Sequence, residues 1–201
     1  MQMSVESQMS QIMQGLGLEP EQIDTAHLLP IFVPASFFEA GNWPGPYTRL
    51  RTPDIGLTWT VLLPDQTLRY VDDDMMQYWE ICRVDWKAIA MRNLADQSTG
   101  QSGMQPMRRP TGELSALAMT FDDGLGPSRL LFRGALEEQF PNGYRVAIPE
   151  MSCGFAFAKD LKGDELANIE DVISKCYKNG TYPIVPGIYD ADDLLPLDES
   201  N

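Results

Sequence analysis

The chain offers little for thiol, imidazole or soft-metal chemistry. Its 201 residues include one histidine and three cysteines. His27 lies in a proline-rich stretch, while Cys82, Cys153 and Cys176 are far apart with no CxxC pair. An odd cysteine count makes a poor disulfide framework, so free thiols in a reducing compartment are expected. Cys153 precedes a glycine, a tolerable position for a nucleophile, but Phe155 and Phe157 beside it point to a buried structural thiol. Bases are scarce too: 15 Lys and Arg face 29 Asp and Glu, a net charge of -14, and none precedes Arg49. Binding to nucleic acid or to an anionic membrane requires cations that replace counterions, so neither partner is expected. No apolar run approaches the ~18 residues of a membrane span. The N-terminus lacks the basic and apolar regions of a signal peptide, so a cytoplasmic location is expected. There is no GxxxxGK[ST] loop, no EF-hand spacing and no internal repeat. The acids at 72–74, 122–123 and 190–193 read as a helix cap, a turn and a solvated tail, so no metal or cofactor is expected.

What is present centres on residues 114–149, LSALAMTFDDGLGPSRLLFRGALEEQFPNGYRVAIP. An apolar strand ends in Asp122-Asp123-Gly124, where Asp side chains bond nearby N–H groups and Gly accepts positive φ. Gly126-Pro127 starts a helix, because Pro at the first position loses no hydrogen bond. Leu131 with Ala135, and Phe132 with Leu136 and Phe140, give it one broad apolar face. Pro141-Asn142-Gly143 stops it, and residues 144–148 form a second strand. A connection of this length is compatible with a parallel crossover without requiring one.

Elsewhere, a weak helix is expected in residues 1–18 and an edge strand or extended segment in residues 28–38, which contain Pro30 and Pro34. Residues 56–63 and 67–71 read as a hairpin turning at Pro64-Asp65-Gln66. Asp72 and its two acidic neighbours introduce one helix, and Asp85 caps another whose face carries Trp86, Ile89, Ala90, Asn93 and Leu94. Residues 95–112 are polar and rich in Gly, Ser and Pro, the composition of a mobile loop. An apolar run at 151–158 suits a strand paired with 144–148. A last helix presents Leu166, Ile169, Ile173, Cys176 and Tyr177 and ends at Asn179-Gly180. The expected fold class is α+β: a single domain with a small mixed or antiparallel sheet packed with about three to five helices. Residues 1–48 would be an N-terminal appendage, 49–195 the domain, and 196–201 an acidic tail.

The order of LRYVDDDMMQYWEI, the helix with Ala88, Ala90, Asn93 and Leu94, FDDG, the run Ser128 to Leu131, VAIP and PIVPGIY resembles the YtpQ-like family of bacterial proteins, a domain of unknown function. The resemblance covers roughly residues 57–195 and implies an α+β domain. It transfers no catalytic residue. Where the family usually carries an Arg-Asp pair after the VAIP strand, this chain has Glu150-Met151-Ser152-Cys153.

With no catalytic constellation and a large acid excess, the leading expectation is a non-enzymatic interaction domain. It would bind a basic protein partner as an adaptor or inhibitor, steered by the field of the whole molecule. The same charge also serves solubility. Candidate partner-surface residues are Trp43, Asp72, Asp73, Asp192 and Asp193. The competing expectation is a hydrolase or other small-molecule enzyme built on the central turn, with Asp122, Asp123, Ser128 and Arg129 as candidates.

Overall fold

The computed structural model describes residues 5–39, 41, 43–63, 65, 67–99, 102–121 and 123–197. The fold is α+β, with two antiparallel sheets of four and five strands in place of one small sheet.

In the first sheet, β3 (Ile55–Leu62) pairs with β1 (Leu28–Pro34), β2 (Tyr47–Arg49) and β4 (Leu68–Tyr70). The hairpin expected from the alternation of residues 56–71 is β3 and β4, in register from Thr60↔Tyr70 to Leu62↔Leu68. The alternation does not mark an outer polar face, however. Thr58 and Thr60 are buried, and their hydroxyls donate to the carbonyls of Pro46 at 2.8 Å and Arg69 at 2.9 Å. Such bonds remove the penalty of burying a hydroxyl. β1 is an edge strand, where Pro30 and Pro34 break no ladder. It lies within the stretch expected to be an appendage, yet it runs the length of β3 from Leu28↔Val61 to Pro34↔Ile55. Leu28, Leu29, Ile31, Phe32 and Val33 are all buried.

Helices α1 (Val5–Gly15), α3 (Asp73–Ile81) and α4 (Trp86–Ser98) cover this sheet, while the short α2 (Ser36–Glu39) follows β1. Asp72 and Asp85 cap α3 and α4, accepting from Met75 N at 2.9 Å and Ala88 N at 3.2 Å. Trp59, Val61, Met75, Trp79, Trp86 and Ala90 form the shared core, with α1 contributing partly buried Ile12 and Met13.

The second sheet contains β5 (Met104–Arg108), β6 (Leu114–Met119), β7 (Tyr144–Glu150), β8 (Cys153–Ala158) and β9 (Ile188–Asp190), in the order β5-β6-β8-β7-β9. β6 and β7 are each antiparallel to β8, so they run parallel with β8 between them. The central unit is therefore a crossover into which a later hairpin strand is inserted. The stretch expected as a mobile loop at 95–112 carries the last turn of α4 and the whole of β5. β5 shields the edge of β6 and is exposed on both faces, so it has no apolar alternation to reveal it.

The helix expected from Pro127 to Phe140 is two pieces. A 3-10 helix spans Gly126–Leu131, Phe132 leaves helical geometry at ψ 57°, and α5 spans Arg133–Gln139. Gly126 allows the first piece to sit flat on the sheet: a Cβ there would lie 2.1 Å from the Met119 carbonyl oxygen. α6 (Gly163–Asn179) packs Ile169 and Ile173 against Ala147, Phe155 and Phe157 on the opposite face.

Phe32, Leu50 and Ile55 of the first half share one buried cluster with Leu117, Met119, Val146 and Ile148 of the second. Each such side chain contributes on the order of 1.5–3 kcal/mol by burial. Backbone bonds from Arg51 N to Leu195 O and from Leu197 N to Arg49 O, both 2.9 Å, fasten the end of the chain to the first half. No helix among the described residues is long and apolar enough to cross a membrane.

Candidate functional site

The central turn brings Asp123, Ser128 and Arg129 together, while Asp122 lies outside the described residues. The Arg129 side chain is fully buried and meets Asp123 in a two-pronged ion pair, Nη2 to Oδ2 at 2.6 Å and Nη1 to Oδ1 at 3.0 Å. Its Nε donates to Ser98 Oγ at 2.9 Å and its Nη1 also donates to the Leu125 carbonyl at 2.9 Å. The guanidinium lies over the Phe121 ring, 4.0 Å from its centre. Asp123 Oδ1 also accepts from Leu125 N at 2.9 Å. Ser128 Oγ donates to the Pro30 carbonyl of β1 at 2.8 Å. Asp123 and Arg129 are engaged with each other, and Ser128 is engaged with β1. They bind the end of α4, the edge of β1 and the crossover turn into one knot.

Beside the knot runs a groove of about 730 Å³, lined by Leu68, Tyr70, Asp123, Gly124, Met151 and Tyr182 among others. Among its described residues the one carboxylate, on Asp123, is already taken up by Arg129. No group of three His, Cys, Asp or Glu side chains among the described residues is placed to hold a metal ion.

A second set of candidates converges on the first sheet. Trp43 packs edge-on against Phe38 and Tyr70, with centres 5.0 Å apart in each case, and lies 6.4 Å from Phe37. Phe38 in turn stacks on Tyr47 at 4.3 Å. Phe37 and Tyr47 are exposed. The following loop presses on the start of α3. Asp73 N donates to the Pro44 carbonyl at 2.8 Å, and Gly45 is so close that a Cβ would lie 1.9 Å from Val71 O. Trp43, Asp72 and Asp73 are therefore neighbours. Asp192 and Asp193 belong elsewhere, on the 3-10 helix Ala191–Leu194. Asp192 pairs with Arg133 at 2.7 Å, which lowers its pKa. Asp193 accepts from Asp190 N at 2.9 Å, and its carbonyl takes Thr52 N.

Ion pairs are unevenly distributed along the chain. In the second half, Arg109 holds Asp160 and Glu165, Arg133 holds Glu137 and Asp192, Lys159 holds Asp190, and Lys175 holds Asp171. Before residue 100, Arg69–Asp72 at 3.1 Å is the one ion pair among the described residues. Glu19, Glu21, Asp24, Asp73, Asp74, Glu80 and Asp85 are exposed there without a cation partner among the described residues. The two halves carry equal net charge, -7 each, but the start of α3 gathers Asp73 and Asp74 on one surface with no cation partner among the described residues.

The partners of the thiols come from the fold, not from the sequence. Cys153 Sγ is 3.9 Å from Cys176 Sγ. Burial first, and then the neighbouring Cys176 and Glu150, push the Cys153 thiol up to about 12, which disfavours a neutral-pH nucleophile. His27 sits on the exposed 3-10 helix Thr25–His27 of the first half. Sequence reasoning also passed over Glu150. This buried carboxylate accepts from Ser152 N at 2.6 Å, from Ser152 Oγ, and from Tyr182 N at 3.2 Å. The Glu-x-Ser spacing was the available local signal for the first two bonds.

Comparison with models of protein families, with curated proteins and with solved structures found no match.

Proposed function

We propose that the chain is a non-enzymatic interaction domain that takes a basic protein segment on the surface formed by Phe37, Trp43, Tyr47 and the acidic start of α3, acting as an adaptor or inhibitor. The observation that carries this reading is the partly exposed ring cluster set against uncompensated carboxylates. Aromatic faces and carboxylates are the two chemistries that hold Lys and Arg side chains. The net charge of -14 adds long-range steering toward a cationic partner. The knot at Arg129 supports the same reading from the other side, because Asp123, Ser128 and Arg129, the described candidates at the central turn, already have hydrogen-bond partners within the fold. Membership of the YtpQ-like family belongs to the same proposal and rests on motif order alone.

The test is a titration of the full chain with a Lys/Arg-rich peptide and with an acidic peptide of equal length, read by tryptophan fluorescence at low and moderate salt. The basic peptide should bind, weaken as salt screens exposed charge, and lose at least tenfold in affinity with Asp73→Lys/Asp74→Lys or with Trp43→Ala. Equal binding of both peptides, or affinity unmoved by the Asp73 and Asp74 changes, would sink the proposal.

A further inference from the structure

We propose that Cys153 and Cys176 are a redox-reactive pair, closed to an intramolecular disulfide by a peroxide-class oxidant, which staples the last turn of α6 to the start of β8. This is independent of the binding surface proposed above. The two sulfurs are in contact at 3.9 Å, against about 2.05 Å in a disulfide. Both belong to the layer where α6 packs on the second sheet. The backbone brings them together by a close approach at the helix end. Gly180 ends α6, its N–H bonded to Cys176 O at 2.8 Å, and its missing Cβ makes room for Glu150 Cγ, which would lie 2.1 Å from it. Glu150 in turn holds the β7–β8 turn through Ser152. The end of the helix is thus pinned against the strand that carries Cys153.

The pair also opens to solvent on one side. An open cleft of about 470 Å³ is lined by Ser152, Cys153, Lys175, Cys176, Asn179 and Thr181. Cys176 is partly exposed while Cys153 is buried, which assigns the order of events. Cys176 gives up its proton to solvent, its thiolate attacks one peroxide oxygen and the O–O bond breaks, leaving a sulfenic acid on Cys176 and a hydroxide that takes up that proton as one water. Cys153 Sγ then attacks Cys176 Sγ. The S–O bond breaks, and hydroxide leaves with the proton of Cys153 as a second water. Two thiols lose two electrons, and the peroxide gains them. Burial of Cys153 makes the second step slow near neutrality, and its rate rises about tenfold per pH unit as thiolate forms. Cys82, at the end of α3 on the other sheet, is an internal control.

The experiment treats the folded full chain with hydrogen peroxide, blocks remaining thiols with an alkylating reagent, and maps peptides by mass spectrometry. The expected result is a cross-link joining the peptides of Cys153 and Cys176, about 2 Da below the reduced pair. Cys82 should stay alkylatable, and the unfolding midpoint should rise until a reductant restores it. Cys82→Ser should leave the cross-link intact, and Cys153→Ser should leave a sulfenic acid on Cys176 that a dimedone-type probe captures. Both thiols remaining alkylatable, or sulfinic acid on Cys176 with no cross-link, would overturn the proposal. So would a cross-link that forms as readily in denatured as in folded protein.

Discussion

Replacing Asp123 by Ala would strip the fully buried Arg129 of its carboxylate and leave the rest of its cage in place. The guanidinium would keep Ser98 Oγ, the Leu125 carbonyl and the Phe121 ring, none of which carries a compensating charge. Breaking a buried pair from one side costs about 3–5 kcal/mol, because the remaining charge is desolvated and unmatched. Against a typical stability of about 5–15 kcal/mol this is a large loss. For a chain of this size each kcal/mol moves the melting midpoint by about 2–4 °C, so the expected drop is on the order of 6–20 °C. Urea unfolding followed by circular dichroism and by tryptophan fluorescence reads the same quantity and tests whether the transition is two-state. The double change Asp123→Ala/Arg129→Met removes the orphaned charge and should recover most of the loss. It leaves Ser98 Oγ short of a donor and Leu125 N short of its acceptor, at about 1 kcal/mol each. If the single change costs under about 1 kcal/mol, or the double change is as damaging as the single one, the account of Arg129 as a charge-compensated lock is wrong.

Gly126→Ala should destabilise strongly by the same urea assay, since the new Cβ would meet the Met119 and Ser152 carbonyl oxygens at 2.1 and 2.5 Å. Gly134→Ala, in α5 with nothing within 4 Å of the new atom, should instead stabilise by about 0.5–1 kcal/mol. The Cys153 thiol moves from its ordinary 9.0 to about 12 on folding, so the folded state holds its proton longer than the unfolded chain. Its contribution to stability is whole below pH 9 and is lost as pH rises toward about 12. Unfolding midpoints between pH 8 and 11 should fall more steeply for the natural protein than for Cys153→Ala, and parallel curves would refute the assignment.

Much of the local structure was legible in the chain because its causes are local. Asp72 and Asp85 cap helices through bonds spanning three residues. The hairpin of β3 and β4 follows from alternation and a short turn, and α6 follows from apolar spacing that places Ile169 and Ile173 on one face. The capping of α3 also gave Asp72 and Asp73 a place in the first half, beside a Trp43 that only packing could bring there. What tertiary structure decided lies at long separation. Arg129 was legible only as a candidate beside the central turn, but its partner Ser98 is 31 residues away, and Ser128 reaches Pro30 across 98. Those bonds fall on the 3-10 piece that replaces the first half of the expected helix. Cys153 meets Cys176 across 23 residues, which no motif records. β5 hides in a polar stretch because an exposed edge strand needs no apolar face, and the insertion of β8 between β6 and β7 leaves no trace in periodicity. Periodicity and capping report which face of one element is buried. Which elements then share a core depends on chain closure and on polar groups finding partners, and those are settled only when the whole chain packs.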